Sequence, residues 1–248
     1  MKKDTLFVLL LMSAFPAIAQ ESTPVTANDA SMTTSDQSAT VQVTAVRDPL
    51  LRPYKTMLKG LDAFDKFHAM APDAALRFLL IAPADATNGK ALTLRIADDT
   101  SSVSVPVETD QTFALPRLPE MVDRNADLVL NAKRGTLRWR PDIRTPDLSP
   151  TTRRLGDLRL ECEVRWVIEK DELSFVQRNY FRMVGGPCSA ASIATHFISA
   201  QPMVSAVLTE GERKLALKIA YGGYAYIPPL HDKTWSNDAR VELTLRER

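Results

Sequence analysis

The chain has 248 residues, of which 45% are hydrophobic and 25% are charged, and its 31 basic and 30 acidic side chains give a formal net charge of +1. This length and composition are typical of one large or two small globular domains. A net charge so close to zero gives no electrostatic reason to expect a nucleic acid or an anionic membrane as partner.

The first 19 residues have the three parts of a secretory signal peptide. Lys2 and Lys3 form a basic start, residues 6–15 form an apolar run, and Ala17-Ile18-Ala19 offers the small residues that signal peptidase requires. The apolar run is shorter than the roughly 20 residues that a helix needs to cross a bilayer. A lipid anchor would need a cysteine where Gln20 stands. We therefore expect cleavage near Ala19-Gln20 and a periplasmic or secreted mature protein without an integral membrane span.

Residues 20–45 form a polar segment rich in Ser, Thr, Ala and Asp. They include no large aromatic side chain, so they offer little apolar area to offset the entropy lost on ordering. The sequence predicts a flexible N-terminal arm here. The alternating residues 40–44 are suited to an added strand at a sheet edge.

Residues 46–71 contain the one helix that the sequence pattern predicts. Pro53 lies near its start, Ala71-Pro72 ends it, and apolar residues recur at helical spacing between them. These apolar residues are Tyr54, Met57, Leu58, Leu61, Phe64 and Met70. Charged residues occupy much of the other face. We expect an amphipathic helix that covers one end of a β-core, and a docking helix for another protein is the alternative.

Residues 72–145 are predicted to form a first β-sandwich unit. The nearly continuous apolar run at 76–81 indicates a buried strand, and alternation indicates further strands. These lie at 92–96, 103–107, 113–115, 128–130 and 137–139. Pro106 predicts an edge position for its strand, because proline cannot donate to the ladder. A Pro-rich connector is predicted at 146–156.

Residues 157–248 are predicted to form a second β-sandwich unit. Apolar and charged residues alternate for nine residues from Leu158 to Trp166, which predicts a strand with one buried face. Gly222-Gly223 predicts a two-residue hairpin turn. Further strands are predicted at 204–208, 215–220, 224–227 and 241–245. The predicted fold class is therefore mainly β, with one or two antiparallel sandwich units of immunoglobulin-like or prealbumin-like type and one N-terminal helix.

Cys162 and Cys188 are the two cysteines of the chain. In an oxidising compartment an even number of cysteines favours a disulfide, and no C-x-x-C pair points to redox catalysis. We predict a structural disulfide that closes a loop of about 25 residues and is worth roughly 3 kcal/mol. Two buried thiols are the alternative in a reducing compartment.

Residues 107–119 have the sequence VETDQTFALPRLP. This segment resembles the Thr-Asp turn and the F-x-L-P-x-L-P strand of carboxypeptidase-regulatory-like, prealbumin-type β-sandwich domains. The glycine that this family has before the phenylalanine is Thr112 here. The resemblance implies a small Greek-key sandwich that serves as a structural or binding module, with no catalytic residues to carry over.

The sequence contains no catalytic constellation and no cofactor fingerprint. His68, His196 and His231 lie far apart in the chain, and His231-Asp232 is more typical of a solvated loop than of a metal site. We therefore expect no catalytic residue, no metal and no cofactor. A Ser–His–Asp site assembled from scattered residues is recognised by geometry and stays open at this point.

Tyr221, Tyr224 and Tyr226 around Gly222-Gly223 are the best candidates for a binding surface. Tyrosine rings beside a glycine turn offer rigid amphipathic area to peptides or sugars. Tyr224 and Tyr226 share one face of a predicted strand, which core packing would also produce. Ordinary packing is therefore the alternative.

The sequence favours a non-catalytic β-sandwich protein that binds or supports another component of the bacterial cell envelope. We expect an envelope protein or a peptide as partner, since the edges of antiparallel sheets accept peptide strands. The alternative is an exported hydrolase whose active site is built from loops.

Overall fold

The structure, a computed structural model, describes residues 49–81 and 91–247. The predicted signal peptide (1–19), arm (20–45) and added strand (40–44) lie outside these residues. The described strands are β1 (Pro49–Pro53), β2 (Ala75–Ile81), β3 (Leu94–Ala97), β4 (Ser102–Val105), β5 (Thr112–Phe113), β6 (Asp127–Lys133), β7 (Arg138–Arg144), β8 (Thr152–Arg154), β9 (Phe197–Ile198), β10 (Met203–Glu210), β11 (Arg213–Ala216), β12 (Lys218–Ala220), β13 (Ala225–Ile227) and β14 (Arg240–Leu245). The described helices are α1 (Tyr54–Phe67), α2 (Pro119–Asp123), α3 (Leu155–Glu169) and α4 (Phe175–Met183).

The described strands form antiparallel sheets in each half of the described chain. The first half, residues 49–144, forms the sheets β1-β6-β3-β4 and β5-β2-β7. The second half, residues 145–247, forms β11-β10-β14-β8 and β12-β13-β9. The prediction of a mainly antiparallel β-protein is confirmed, and β4 lies at a sheet edge, as Pro106 indicated. The predicted connector, 146–156, contains β8 and the first residues of α3.

Each half of the described chain has a buried core. The first core combines Phe78 of β2, Ile96 of β3 and Phe113 of β5 with Tyr54 and Met57 of α1. Side chains from both sheets of the first half therefore meet in one apolar interior. The second core likewise contains residues from both sheets of the second half, among them Leu208, Tyr226 and Val241.

Helix α3 belongs to both cores. Its residues in the first core are Leu160, Val164 and Ile168. Its residues in the second core are Leu155, Leu158 and Cys162. This helix therefore lies between the two halves and is covered by apolar side chains on two opposite sides.

Two predictions are wrong. The segment from Leu158 to Trp166 is part of helix α3 and not a strand. The N-terminal helix is therefore not the single helix, and α4 follows α3. Residues four apart lie on one face of an α-helix, whereas residues two apart are separated by about 200°. Leu158, Cys162 and Trp166 are four apart, and so are Leu160 and Val164. Two such rows on opposite faces give the same alternation of apolar and charged residues as a strand. Both rows are apolar because the helix has a core on each side.

The helix predicted within 46–71 is present as α1, which a short 3-10 turn at His68–Met70 extends, but residues 49–53 of that range form strand β1 instead. Tyr54, Met57 and Ala63 on its inner face are buried. Gly60 lies against α3, where a Cβ atom would come within 2.5 Å of Ile168 Cδ1. The absence of a side chain at this position lets the two helices approach closely, and α1 thereby covers the first core.

The Gly222-Gly223 segment joins β12 to β13, which pair as an antiparallel hairpin. The turn is longer than the predicted two residues, because pairing stops at Ala220 and resumes at Ala225. Tyr221, Gly222 and Gly223 all have positive φ angles, of 51°, 65° and 102°. Glycine adopts such angles without steric cost, which explains the two glycines in this turn.

Candidate functional site

A groove with a volume of about 610 Å³ lies between the two halves of the described chain. Its floor is α3, which contributes Cys162, Arg165, Trp166 and Glu169. Relative to Cys162 they stand at positions i+3, i+4 and i+7, so all four lie on one face of the helix. Nearer the start of α3, Leu158 on this side is buried in the second core. The groove therefore begins where the second core ends.

Strand β7 gives the groove a basic wall. Trp139 and Ile143 of this strand are buried in the first core, so Arg138 and Arg140 extend from the other face of the sheet and line the groove. Together with Arg165 of α3 they bring three guanidinium groups to one cavity.

Glu169 is the one carboxylate among the described residues that line the groove. Its Oε2 atom accepts a hydrogen bond of 2.9 Å from Arg165 Nε. Arg140 Nη1 lies 3.8 Å from Glu169 Oε1, beyond hydrogen-bond distance, and is buried without a hydrogen-bond partner among the described residues. The described side chains that line the groove therefore have a net positive charge.

Aromatic rings form two pairs along the groove. The Trp166 ring lies 5.2 Å from that of Phe181 on α4, and the His196 ring lies 5.1 Å from that of Tyr221, measured between centroids. Such rings offer flat apolar faces beside the guanidinium groups. Smaller apolar side chains complete the lining, namely Leu173, Ile193, Ala194 and Ile198.

Cys162 and Cys188 are paired at disulfide distance, as predicted, with Sγ atoms 2.11 Å and Cα atoms 5.7 Å apart. This pair joins α3 to the segment that leads to His196. Within that segment, Thr195 Oγ1 donates to the carbonyl oxygen of Pro187 at 3.2 Å. The cross-link therefore holds one wall of the groove against its floor.

A second cavity, of about 530 Å³, adjoins the groove at Trp166, which lines both. Its basic residues are Lys170, Arg178 and Arg182, and its acidic residue is Asp171. Arg178 Nε is a second buried donor that has no hydrogen-bond partner among the described residues. The two cavities thus share an aromatic residue, and each contains more basic than acidic groups.

The three tyrosines predicted as a binding surface lie in different environments. Tyr221 is 67% exposed and lines the groove. Tyr224 is 47% exposed, whereas Tyr226 is 1% exposed and belongs to the second core. Burial of the Tyr226 hydroxyl raises its pKa to about 12. Only Tyr221 therefore contributes to the groove, and Tyr226 has the packing role that was the alternative.

The three histidines lie in different surroundings. His196 lines the groove. The His68 ring packs on Phe64, with a nitrogen 3.1 Å from the carbonyl oxygen of Ala74, and His231 is exposed. No group of three or more histidine, cysteine, aspartate or glutamate side chains within the described ranges could hold a metal ion.

Comparison with models of known protein families, with curated proteins and with solved structures finds no match for this chain. Residues 107–119 contain a turn, in which the Asp110 side chain accepts a hydrogen bond from the Thr112 backbone, and the short strand β5, and they end at the start of α2. The resemblance of this segment to prealbumin-type domains stays a prediction. No helix in 49–81 or 91–247 has both the length and the apolar character needed to cross a membrane.

Proposed function

We propose that this is an exported, non-catalytic binding protein of the bacterial cell envelope, whose ligand combines a negative charge with a flat apolar group. The observation that carries this proposal is the groove, in which three arginines and two aromatic pairs share one cavity with a single carboxylate. Guanidinium groups bind carboxylate and phosphate oxygens through directed, charge-assisted hydrogen bonds. Aromatic faces stack on flat groups.

The basic side chains that line the groove support an anionic ligand in particular. Glu169 neutralises part of the charge of Arg165, with which it is hydrogen-bonded. Glu169 Oε1 also lies 3.8 Å from Arg140 Nη1, at ion-pair distance, so Arg138 is the groove arginine that is not paired with this carboxylate.

We propose further that each half of the described chain is a small antiparallel β-sandwich. Two sheets that share one buried core support this arrangement, because face-to-face packing of two sheets is what defines a sandwich. The immunoglobulin-like or prealbumin-like topology stays a prediction. So do the domain limits at 72–145 and 157–248, although α3 contributes to both cores.

Fluorescence titration with anilinonaphthalenesulfonate tests the binding proposal, since this probe joins a sulfonate to aromatic rings. Its neutral analogue N-phenylnaphthylamine is the matched control ligand. We expect the sulfonate to bind more tightly, and Arg140→Gln to weaken it by about tenfold or more through loss of a charged hydrogen bond. Arg95→Gln removes the same charge from an exposed position on β3 and should leave binding unchanged. Equal affinities for the two probes would contradict the proposal.

Export has a separate test, because it rests on residues 1–19. N-terminal sequencing of the protein recovered from periplasm or culture medium should begin at Gln20. A chain that keeps Met1 and stays in the cytoplasm would refute export and leave the groove proposal standing.

A second candidate, an exported hydrolase with a loop-built active site, is favoured by one observation. His196, Thr195 and Glu169 all line the groove. The hydroxyl of Thr195 already donates to Pro187, and Glu169 is bound by Arg165, so neither group orients the histidine. If the protein hydrolyses a generic ester or peptide and His196→Ala abolishes that hydrolysis, the hydrolase becomes the better-supported function.

A further inference from the structure

The groove and the second cavity both border Trp166, which lines each of them. The Phe181 ring lies 5.2 Å from Trp166 and lines the groove. An elongated ligand that passes Trp166 would therefore contact an aromatic pair at its middle and a cavity at each end.

Both ends of this path are basic. The groove has Arg138 and Arg140, and the second cavity has Lys170 and Arg182. A ligand with acidic groups at both ends would match this charge distribution. A ligand with an anionic group at one end would leave the basic side chains of the other cavity without a partner from the ligand.

The groove favours a peptide over an anionic sugar chain. Ile193 and Ile198 add aliphatic surface to the aromatic rings, and a polysaccharide has little apolar area to bury there. Ile198 belongs to β9, which forms the edge of the sheet β12-β13-β9. A sheet edge offers backbone groups to an extended peptide, so main-chain pairing is available beside the arginines.

We propose that the ligand is an extended acidic peptide segment, with carboxylates on both sides of a central aromatic residue, held across the groove and the second cavity. This identification rests on the proposed function, since it assigns the ligand of the same groove. The carboxylates at one end pair with Arg138 and Arg140, the aromatic side chain stacks at Trp166, and the carboxylates at the other end pair with Arg182 and Lys170.

Fluorescence anisotropy with labelled synthetic heptapeptides tests this assignment on the mature protein. The first peptide has two glutamates on each side of a central Gly-Phe-Gly, and the second replaces the glutamates at one end by glutamine. We expect the first to bind about tenfold more tightly than the second, the effect of one charged hydrogen bond. Arg182→Gln should reduce this difference, and Arg182→Gln together with Lys170→Gln should abolish it, while both variants leave the affinity for anilinonaphthalenesulfonate unchanged.

The controls separate failure of this assignment from failure of the proposed function. Arg95→Gln should alter neither affinity. Equal affinities for the two peptides would overturn the peptide assignment. Tighter binding of an oligogalacturonate or an oligothymidylate of equal charge would do the same. In either case, binding of the sulfonate would still support the groove as a binding site. Loss of sulfonate binding as well would overturn the proposed function itself.

Discussion

Glu161 is a buried carboxyl group on α3, with only 12% of its side chain exposed. Its Oε2 atom accepts a hydrogen bond of 2.7 Å from Arg153 Nη2 on β8. Asp142 of β7 and Tyr226 of β13 are the other titratable groups that act on this cluster. Burial raises the pKa of Glu161 to about 7, although the charge of Arg153 works in the opposite direction.

This raised pKa makes the stability of the fold depend on pH. Between the ordinary value of 4.5 and about 7, the folded protein keeps a proton on Glu161 that the unfolded protein has lost. The free energy of unfolding therefore falls as the pH rises through this window. The slope reaches at most about 1.4 kcal/mol per pH unit, and the loss across the window comes to about 3 kcal/mol.

Glu161→Gln removes this titration and keeps an oxygen that can accept from Arg153. We expect urea denaturation between pH 4.5 and 8 to show that the wild type loses about 3 kcal/mol of stability relative to this variant. Glu120→Gln, at an exposed position on α2, should follow the wild type at every pH. Parallel pH profiles for the wild type and Glu161→Gln would refute the reasoning, because Glu161 would then have the same pKa in both states.

Two further sets of substitutions test the packing around α3. Replacing Cys162 and Cys188 together by serine should lower the free energy of unfolding by about 3 kcal/mol in urea denaturation. Mass spectrometry of the exported wild type should show the two cysteines joined, and two freely alkylated thiols would contradict the pairing. Gly156→Ala places a Cβ atom 2.1 Å from the carbonyl oxygen of Met70, whereas the Cβ atom of Gly60→Ala meets the movable end of the Ile168 side chain. The melting temperature of the Gly156→Ala protein should therefore be well below that of the Gly60→Ala protein. Equal melting temperatures would show that the backbone contact can relax freely.

The longer strands could be predicted because their sequences have a regular period. The apolar run at 76–81 differs from β2 by one residue, and the alternation at 241–245 corresponds to β14. β8 and β9 have three and two residues, too few to show a period. Their pairing partners determine that they are strands, and a single sequence does not contain this information.

The groove could not be predicted because its residues come from separate segments. Arg138, Trp166, Phe181 and His196 are brought together only by the packing of two halves around α3. Among the predicted site residues, Tyr221 and the disulfide-bonded Cys162 line the groove. A usable signal was nevertheless present in α3, where Cys162, Arg165, Trp166 and Glu169 follow the spacing of one helical face. It could be recognised only after the segment had been assigned to a helix.

The wrong strand prediction at 158–166 and the failure to predict the groove have one cause, which the charged residues of α3 show. A strand with one face in water would leave Arg159 and Glu161 solvated, but a helix between two cores buries them and requires partners inside the protein. Arg159 donates to the carbonyl oxygens of Leu230, Asp232 and Trp235, and Glu161 accepts from Arg153. These bonds attach the loop before β14 and strand β8 to the helix that forms the floor of the groove. The alternating charges that suggested a solvated strand face are therefore part of the framework that holds the candidate site in place.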